Sequence, residues 1–277
     1  MKLQTIVDIP ALPWKIGYED HILMLGSCFS DEIGAQMQQR YLNVTCNPFG
    51  TLYNPISIAN ALTMDEVPLL VHRDGLWHSM AHHGSLSRAD KYEAEKVIAD
   101  SIETLQQALA EASVVIVTFG TAWVYELDDE VVGNCHKLPE SMFTRRRISV
   151  EEIVEAWKPI LERYSDKHWL FTVSPIRHIK DGLHENQISK ATLLMAIDQM
   201  VNSRWGYHIC RYFPSYEILL DELRDYRFYD DDLVHPSSLA VNYIWERFVD
   251  TFCTNQTKNE LVLQHKRWKH EHHIPLH

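Results

Sequence analysis

The chain has 277 residues, 45% of them apolar, enough to bury one substantial core. Its formal charge of −12 is wrong for sequence-independent nucleic-acid binding, which needs Lys and Arg against phosphate, and no apolar stretch reaches the ~18 residues of a membrane span. Five scattered cysteines, odd in number and without a Cys-x-x-Cys, argue against a disulfide framework and for a reduced, cytoplasmic protein.

Residues 1–20 carry Pro10, Pro13 and Gly17, show no clear period and lack the apolar run of a signal peptide. The first strand is His21–Leu25, whose continuous apolar character predicts burial on both faces. It stops at Gly26, presents Ser27 and Cys28, and leads into a helix over about Ser30–Gln39 with Ser30 as N-cap. A strand that ends at Gly, exposes a nucleophile and enters a helix suits an active site, because the helix N-terminus brings partial positive charge.

A short strand around Leu42–Cys46 precedes Asn47-Pro48-Phe49-Gly50-Thr51-Leu52-Tyr53-Asn54-Pro55. Two Asn-Pro pairs around one Gly demand a fixed loop. Ile56–Leu62 and Tyr92–Ala112 read as helices. Between them, residues 64–90 are polar and hold His72, His78, His82 and His83. No His-Glu-x-x-His motif is present, so these histidines are expected on the surface or a pocket wall, with no metal and no cofactor.

Val114–Thr118 is the next buried strand, ending at Phe119-Gly120-Thr121-Ala122-Trp123. Residues 124–147, with Asn134, Cys135, His136 and the run Arg145–Arg147, read as an inserted excursion over the sheet edge, the arginines forming a solvated face. A helix over Val150–Tyr164, a strand over Trp169–Val173 ending in Ser174-Pro175-Ile176-Arg177-His178, a helix over Ile188–Trp205 and a strand over Tyr207–Phe213 follow. Asp232-Leu233-Val234-His235 precedes a helix over Ser237–Phe252, and the basic tail Lys266–His277 reads as frayed.

Alternating strands and helices predict an α/β fold, a parallel sheet with helices on both faces. The expectation is one domain over 1–277, with a core of about 20–252 and insertions at about 64–90 and 124–147 positioned to act as lids. Ligands of such sheets sit at the carboxyl ends of the strands, where all three Gly or Ser-Pro turns fall.

A carboxylate three residues before a His can hold Nδ1–H and leave Nε2 free as a base. Arg177 at a strand end suits a carboxylate or phosphate, or pairs with Glu126 or Asp181; Trp123 stacks on a sugar or packs under its loop.

A strand-Gly-nucleophile turn with Asp-x-x-His before the last helix resembles the SGNH (GDSL-type) hydrolase superfamily. More narrowly, Gly26-Ser27-Cys28-Phe29-Ser30, the 47–55 loop, Phe119–Trp123, Asn134–Lys137 and Ser174–His178 resemble the GSCFA family, with Ser30 in place of the final Ala. The resemblance implies a flavodoxin-like three-layer α/β/α sandwich around a five-stranded parallel sheet. By superfamily analogy it implies an ester hydrolase acting on a small-molecule or carbohydrate ester, an acetyl ester being the leading candidate. An acyltransferase or a catalytically weak binding module are the alternatives.

Asp232 and His235 match the Asp-x-x-His motif. The nucleophile is Cys28 in an ungapped match and Ser27 if the turn shifts by one residue. Gly50 matches the oxyanion glycine, and Gly120 and Thr121 fall in the Gly-x-Asn block, whose Asn is replaced by Ala122; Thr121, Asn54 or Asn134 would supply the missing donor. Asn54, Trp123, Asn134, His136, Arg177 and His178 are the expected substrate-binding residues.

Overall fold

The computed structural model describes residues 4–272. Residues 1–3 at the start of the irregular N-terminal segment, and 273–277 of the tail, lie outside them. The strands are, in chain order, β1 (Ile22–Gly26), β2 (Val44–Cys46), β3 (Leu70–Arg73), β4 (Leu76–Ser79), β5 (Val114–Phe119), β6 (Trp123–Leu127), β7 (Glu130–Val132), β8 (Thr144–Arg147), β9 (His168–Val173) and β10 (Cys210–Phe213). The helices are α1 (Cys28–Gln38), α2 (Pro55–Thr63), α3 (Lys91–Glu111), α4 (Val150–Arg163), α5 (Leu183–Val201), the single turn α6 (Ser215–Glu217), α7 (Ser238–Phe252) and α8 (Asn255–Glu271).

Five strands form an all-parallel sheet in the order β10-β9-β5-β1-β2. Counted along the chain, that is the 2-1-3-4-5 order of a flavodoxin-like sandwich, with its switch point between β1 and β5. All five residues of β1 are buried, as its unbroken apolar run requires. Its side chains alternate between two cores. Leu23 and Leu25 pack with α2, α3, α4 and α5. Ile22 and Met24 pack with α1 and α7 on the other face.

The central turn is fixed by Gly26. Its φ is +135°, and a Cβ there would lie 2.2 Å from the Thr118 carbonyl oxygen. The Gly26 N–H donates to Asn47 Oδ1 at 2.8 Å, and Asn47 Nδ2 donates to Asp31 at 2.7 Å. Ser30 is buried and donates to Thr118 Oγ1 at 2.8 Å. Helix α1 begins at Cys28 rather than at Ser30. Ser27 is the N-cap and its side chain makes no capping bond.

The 64–90 segment is a β3–β4 hairpin, and residues 123–147 form an antiparallel sheet in the order β7-β6-β8. After α6 the chain continues as a π-helical stretch, Ile218–Leu223. There Glu222 is buried and paired with Arg247 at 2.9 Å, and it also accepts the Val7 N–H at 2.8 Å. The basic tail departs from expectation: α8 runs through Glu271, capped by Thr254 and seated through the buried Thr257 and Leu261. Its sparse apolar residues hide it from a periodicity reading.

Candidate functional site

A cavity of about 570 Å³ opens at the carboxyl ends of β1, β5 and β9, and Cys28, Asn54, Thr121, Trp123, His178 and His235 are in its wall. Gly26 and Thr118 are direct register partners at the switch point, so the ends of β1 and β5 arrive there together. The turn places its two nucleophile-capable side chains differently. Ser27 is 1% exposed, with its Oγ buried and without a hydrogen-bond partner among the described residues, and it stays out of the cavity wall. The first residue of α1, Cys28, faces the cavity.

Burial pushes the Cys28 thiol up, with Asp31 and Glu32 adding to the effect and the N–H groups of Cys28 and Phe29 opposing it. The free thiol is therefore predominantly neutral near pH 7, and nucleophilic use of it needs a base. Those two N–H groups belong to a helix end that no side chain caps, so they remain available to a developing anion.

His235 supplies the imidazole. Its Nδ1 lies 2.6 Å from Asp232 Oδ2. Asp232 Oδ1 accepts the N–H groups of Val234 at 2.8 Å and His235 at 3.0 Å. The three-residue spacing closes because Leu233 adopts φ +57°. Hydrogen bonds from the His235 side chain first, and then from the backbone, hold the Asp232 carboxyl down at about 2. The bound Nδ1 assigns the proton there and leaves Nε2 as acceptor.

Arg177 braces this loop. Its N–H donates to Val234 O at 3.1 Å and its Nη1 to Leu233 O at 3.1 Å, while the guanidinium lies 5.2 Å from the Tyr229 ring centre. The acids considered for it are taken: Glu126 pairs with Arg146 at 2.8 Å and Asp181 with Arg145 at 2.6 Å. Arg147 pairs with Glu185 at 3.1 Å, so all three arginines of the run are ion-paired. Arg145 also reaches the cavity, stacked 4.3 Å from the Trp123 ring centre, which makes Trp123 a wall residue rather than a free platform.

Other expected site residues are moved or reassigned. Gly50 does not line the cavity; its N–H donates to Asn47 O at 2.7 Å, and its φ of +74° brings it against His83, whose Cβ would lie 2.3 Å from an added Cβ. The Gly120 and Thr121 N–H groups both donate to Tyr53 O, at 2.8 and 3.0 Å. These glycines shape the backbone and do not donate into the cavity. Thr121 does line it, but its Oγ1 accepts the Trp123 N–H at 3.1 Å and contacts Ser189 Oγ at 3.2 Å. Asn134 lines the wall with its Oδ1 on the His136 N–H at 2.9 Å. His136 turns away, its Nε2 on Ser79 O at 2.7 Å and its ring stacked on His78. His178 lines the cavity, its Nε2 buried and without a partner among the described residues; burial first, then Lys190, lowers it to about 4.

Asn54 lines the cavity. Its Oδ1 caps α2 through the Ser57 N–H at 2.8 Å and its Nδ2 donates to Ser57 Oγ at 2.9 Å, which leaves one amide hydrogen with no acceptor among the described residues. None of the residues of the 64–90 segment is in the wall of this cavity. Its His82 stacks 4.0 Å from Phe49 and binds Ser79 Oγ at 2.7 Å, buttressing the 47–50 loop instead. Residues 123–147 do form a wall, through Tyr125, Gly133, Cys135 and Arg145. Among the described residues, no group of three His, Cys, Asp or Glu stands in metal-holding geometry.

Lys190 escaped the sequence reading. It is wholly buried, its Nζ donating to Gly120 O at 2.7 Å and Ser174 O at 2.8 Å, so it ties together the ends of β5 and β9 under the cavity. Burial lowers it to about 7. Its signal is a Lys sharing the helical face of Leu193 and Ile197, where an apolar residue belongs.

A flavodoxin-type sandwich with a nucleophile-capable turn and an oriented imidazole at one cavity defines the structural class. The chain matches the GSCFA family model over residues 21–248 and belongs to the GSCFA family. No curated protein and no solved structure matches it. Among the described residues, no helix is long and apolar enough to cross a membrane.

Proposed function

We propose that the cavity hydrolyses carboxylic esters of small molecules or carbohydrates, with Cys28 as nucleophile, His235 as general base and Asp232 as the group that orients it. The observation that carries this reading is that Cys28 and an Asp232-bound imidazole share one cavity while the neighbouring Ser27 hydroxyl is buried beside it. The superfamily resemblance adds an analogy of the same kind.

In this mechanism Cys28 Sγ attacks the acyl carbon as His235 Nε2 takes the thiol proton. The N–H groups of Cys28 and Phe29 and the amide of Asn54 stabilise the oxyanion. Collapse expels the alcohol, which receives the proton from His235. Water, deprotonated by the same imidazole, then cleaves the thioester and releases the carboxylic acid. Acyl transfer would differ only in the acceptor of this second step.

A second reading, a binding module with weak chemistry, is favoured by the Gly50 and Gly120 N–H groups being spent inside the protein. Labelling with iodoacetamide and a fluorophosphonate, followed by peptide mapping and phenyl acetate turnover, separates the two. The esterase reading expects selective alkylation of Cys28, abolished turnover in Cys28→Ala and near-normal turnover in Ser27→Ala. Turnover that survives Cys28→Ala contradicts it, and no turnover with no selective labelling favours the binding module.

A further inference from the structure

A second cavity, of about 430 Å³, shares Arg177 with the first. Its remaining walls come from the start of α5 and from the stretch that holds Tyr216, Tyr226 and Tyr229. Nothing in the proposed ester chemistry uses it.

Its polar groups are biased toward donors. Asn186 is 3% exposed, and its Oδ1 is spent on the His178 N–H at 2.9 Å. Its Nδ2 has no protein acceptor among the described residues, although the residue lines the cavity. Gln187 next to it spends Oε1 on the Tyr216 hydroxyl at 2.6 Å, which also leaves an amide NH₂. Both residues therefore line the cavity with their oxygens spent and their NH₂ groups without an acceptor among the described residues.

Arg177 adds charge. Among the described residues no carboxylate lies within 4.0 Å of its guanidinium, which keeps free N–H groups beyond the one on Leu233 O. The two acids of the same wall are matched to their own arginines, Asp221 to Arg224 at 3.8 Å and Asp225 to Arg227 at 3.1 Å. Amide N–H groups with no protein acceptor can donate to a ligand, and an unneutralised guanidinium beside them selects an oxyanion.

We propose that the second cavity binds a carboxylate or phosphate group carried by the substrate, so that Arg177 selects anionic esters while the acyl carbon sits at Cys28. The selection of esters rests on the hydrolase reading; the anion site itself does not. Donation from Asn186 to the anion would also couple the two cavities, because the same side chain holds the His178 backbone.

Two measurements test this. The first is calorimetric titration of the intact protein with inorganic phosphate and with benzoate. Saturable binding of at least one is expected, weakened about tenfold or more in both Arg177→Met and Gln187→Leu. No saturable binding of either anion, or binding unchanged in both variants, overturns the site. The second compares kcat/KM for phenyl acetate, 3-acetoxybenzoate and 3-acetoxyphenyl phosphate. A preference of about tenfold or more for one anionic ester is expected, with the preferred one naming the anion and the ratio falling toward unity in Arg177→Met. Equal turnover of all three overturns the selectivity. If none is turned over while an anion still binds at Arg177, the hydrolase reading fails and the anion site stands.

Discussion

Asp232 holds His235 twice, through Oδ2 on the ring Nδ1 at 2.6 Å and through Oδ1 on the backbone N–H at 3.0 Å. One carboxylate thus sets both the tautomer of the imidazole and the turn that carries it. Asp232→Asn keeps the size and an oxygen for the N–H groups but loses the carboxylate that fixes the ring proton on Nδ1. Ester turnover should fall on the order of 10³-fold or more, by the logic of catalytic triads. Thermal denaturation should move little, because the pair is exposed. Steady-state kinetics beside a melting curve checks both.

The nucleophile turn is intolerant of a side chain. Gly26→Ala would place a Cβ 2.2 Å from Thr118 O in a backbone with φ +135°. Strain and clash together should cost at least ~2 kcal/mol, read as a lower urea midpoint, and Cys28 alkylation should lose its selectivity.

Glu222 is the charged residue whose removal should hurt most. Its buried carboxylate bonds Arg247, the Tyr243 hydroxyl and the Val7 N–H. Glu222→Ala leaves the partly buried Arg247 uncompensated and should cost about 3–5 kcal/mol. The double variant Glu222→Leu with Arg247→Met should recover much of that loss in the same urea titration.

Acid should unfold the protein through two neutral histidines. Burial lowers His82 and His178 to about 4, from 6.5 in the unfolded chain. Between those values the unfolded state binds more protons, so stability is complete above pH 6.5 and is lost as pH falls toward 4. For the 1%-exposed His82 the loss approaches ~3 kcal/mol. Urea midpoints measured from pH 7 to pH 4 should drop less steeply in His82→Phe, which keeps the stack on Phe49 and cannot titrate.

The fold was legible because β1, β5 and β9 are largely apolar runs that end at Gly26, Gly120 and Ser174, and their order of alternation with helices leaves few topologies. Asp232 and His235 were legible because their partnership is local in sequence. The donors were not. Whether the Gly50 or Gly120 N–H is free depends on where Asn47 O and Tyr53 O fall, and those contacts are tertiary. Asn54 could be named as a candidate but not chosen, since its free amide hydrogen follows from how it caps α2. Lys190 and Asn186 were hidden inside a helix whose apolar face they share. Their meaning came only from the strand ends and cavity they meet.

The most direct test of the account is to trap the acyl-enzyme. The protein is mixed with 4-nitrophenyl acetate, quenched in acid and mapped by mass spectrometry, with wild type and His235→Ala compared. The account predicts an acetyl thioester on Cys28, cleaved by neutral hydroxylamine, formed rapidly in wild type and far more slowly in His235→Ala. Acetylation of Ser27, or ester turnover with no adduct and no dependence on Cys28, would contradict it.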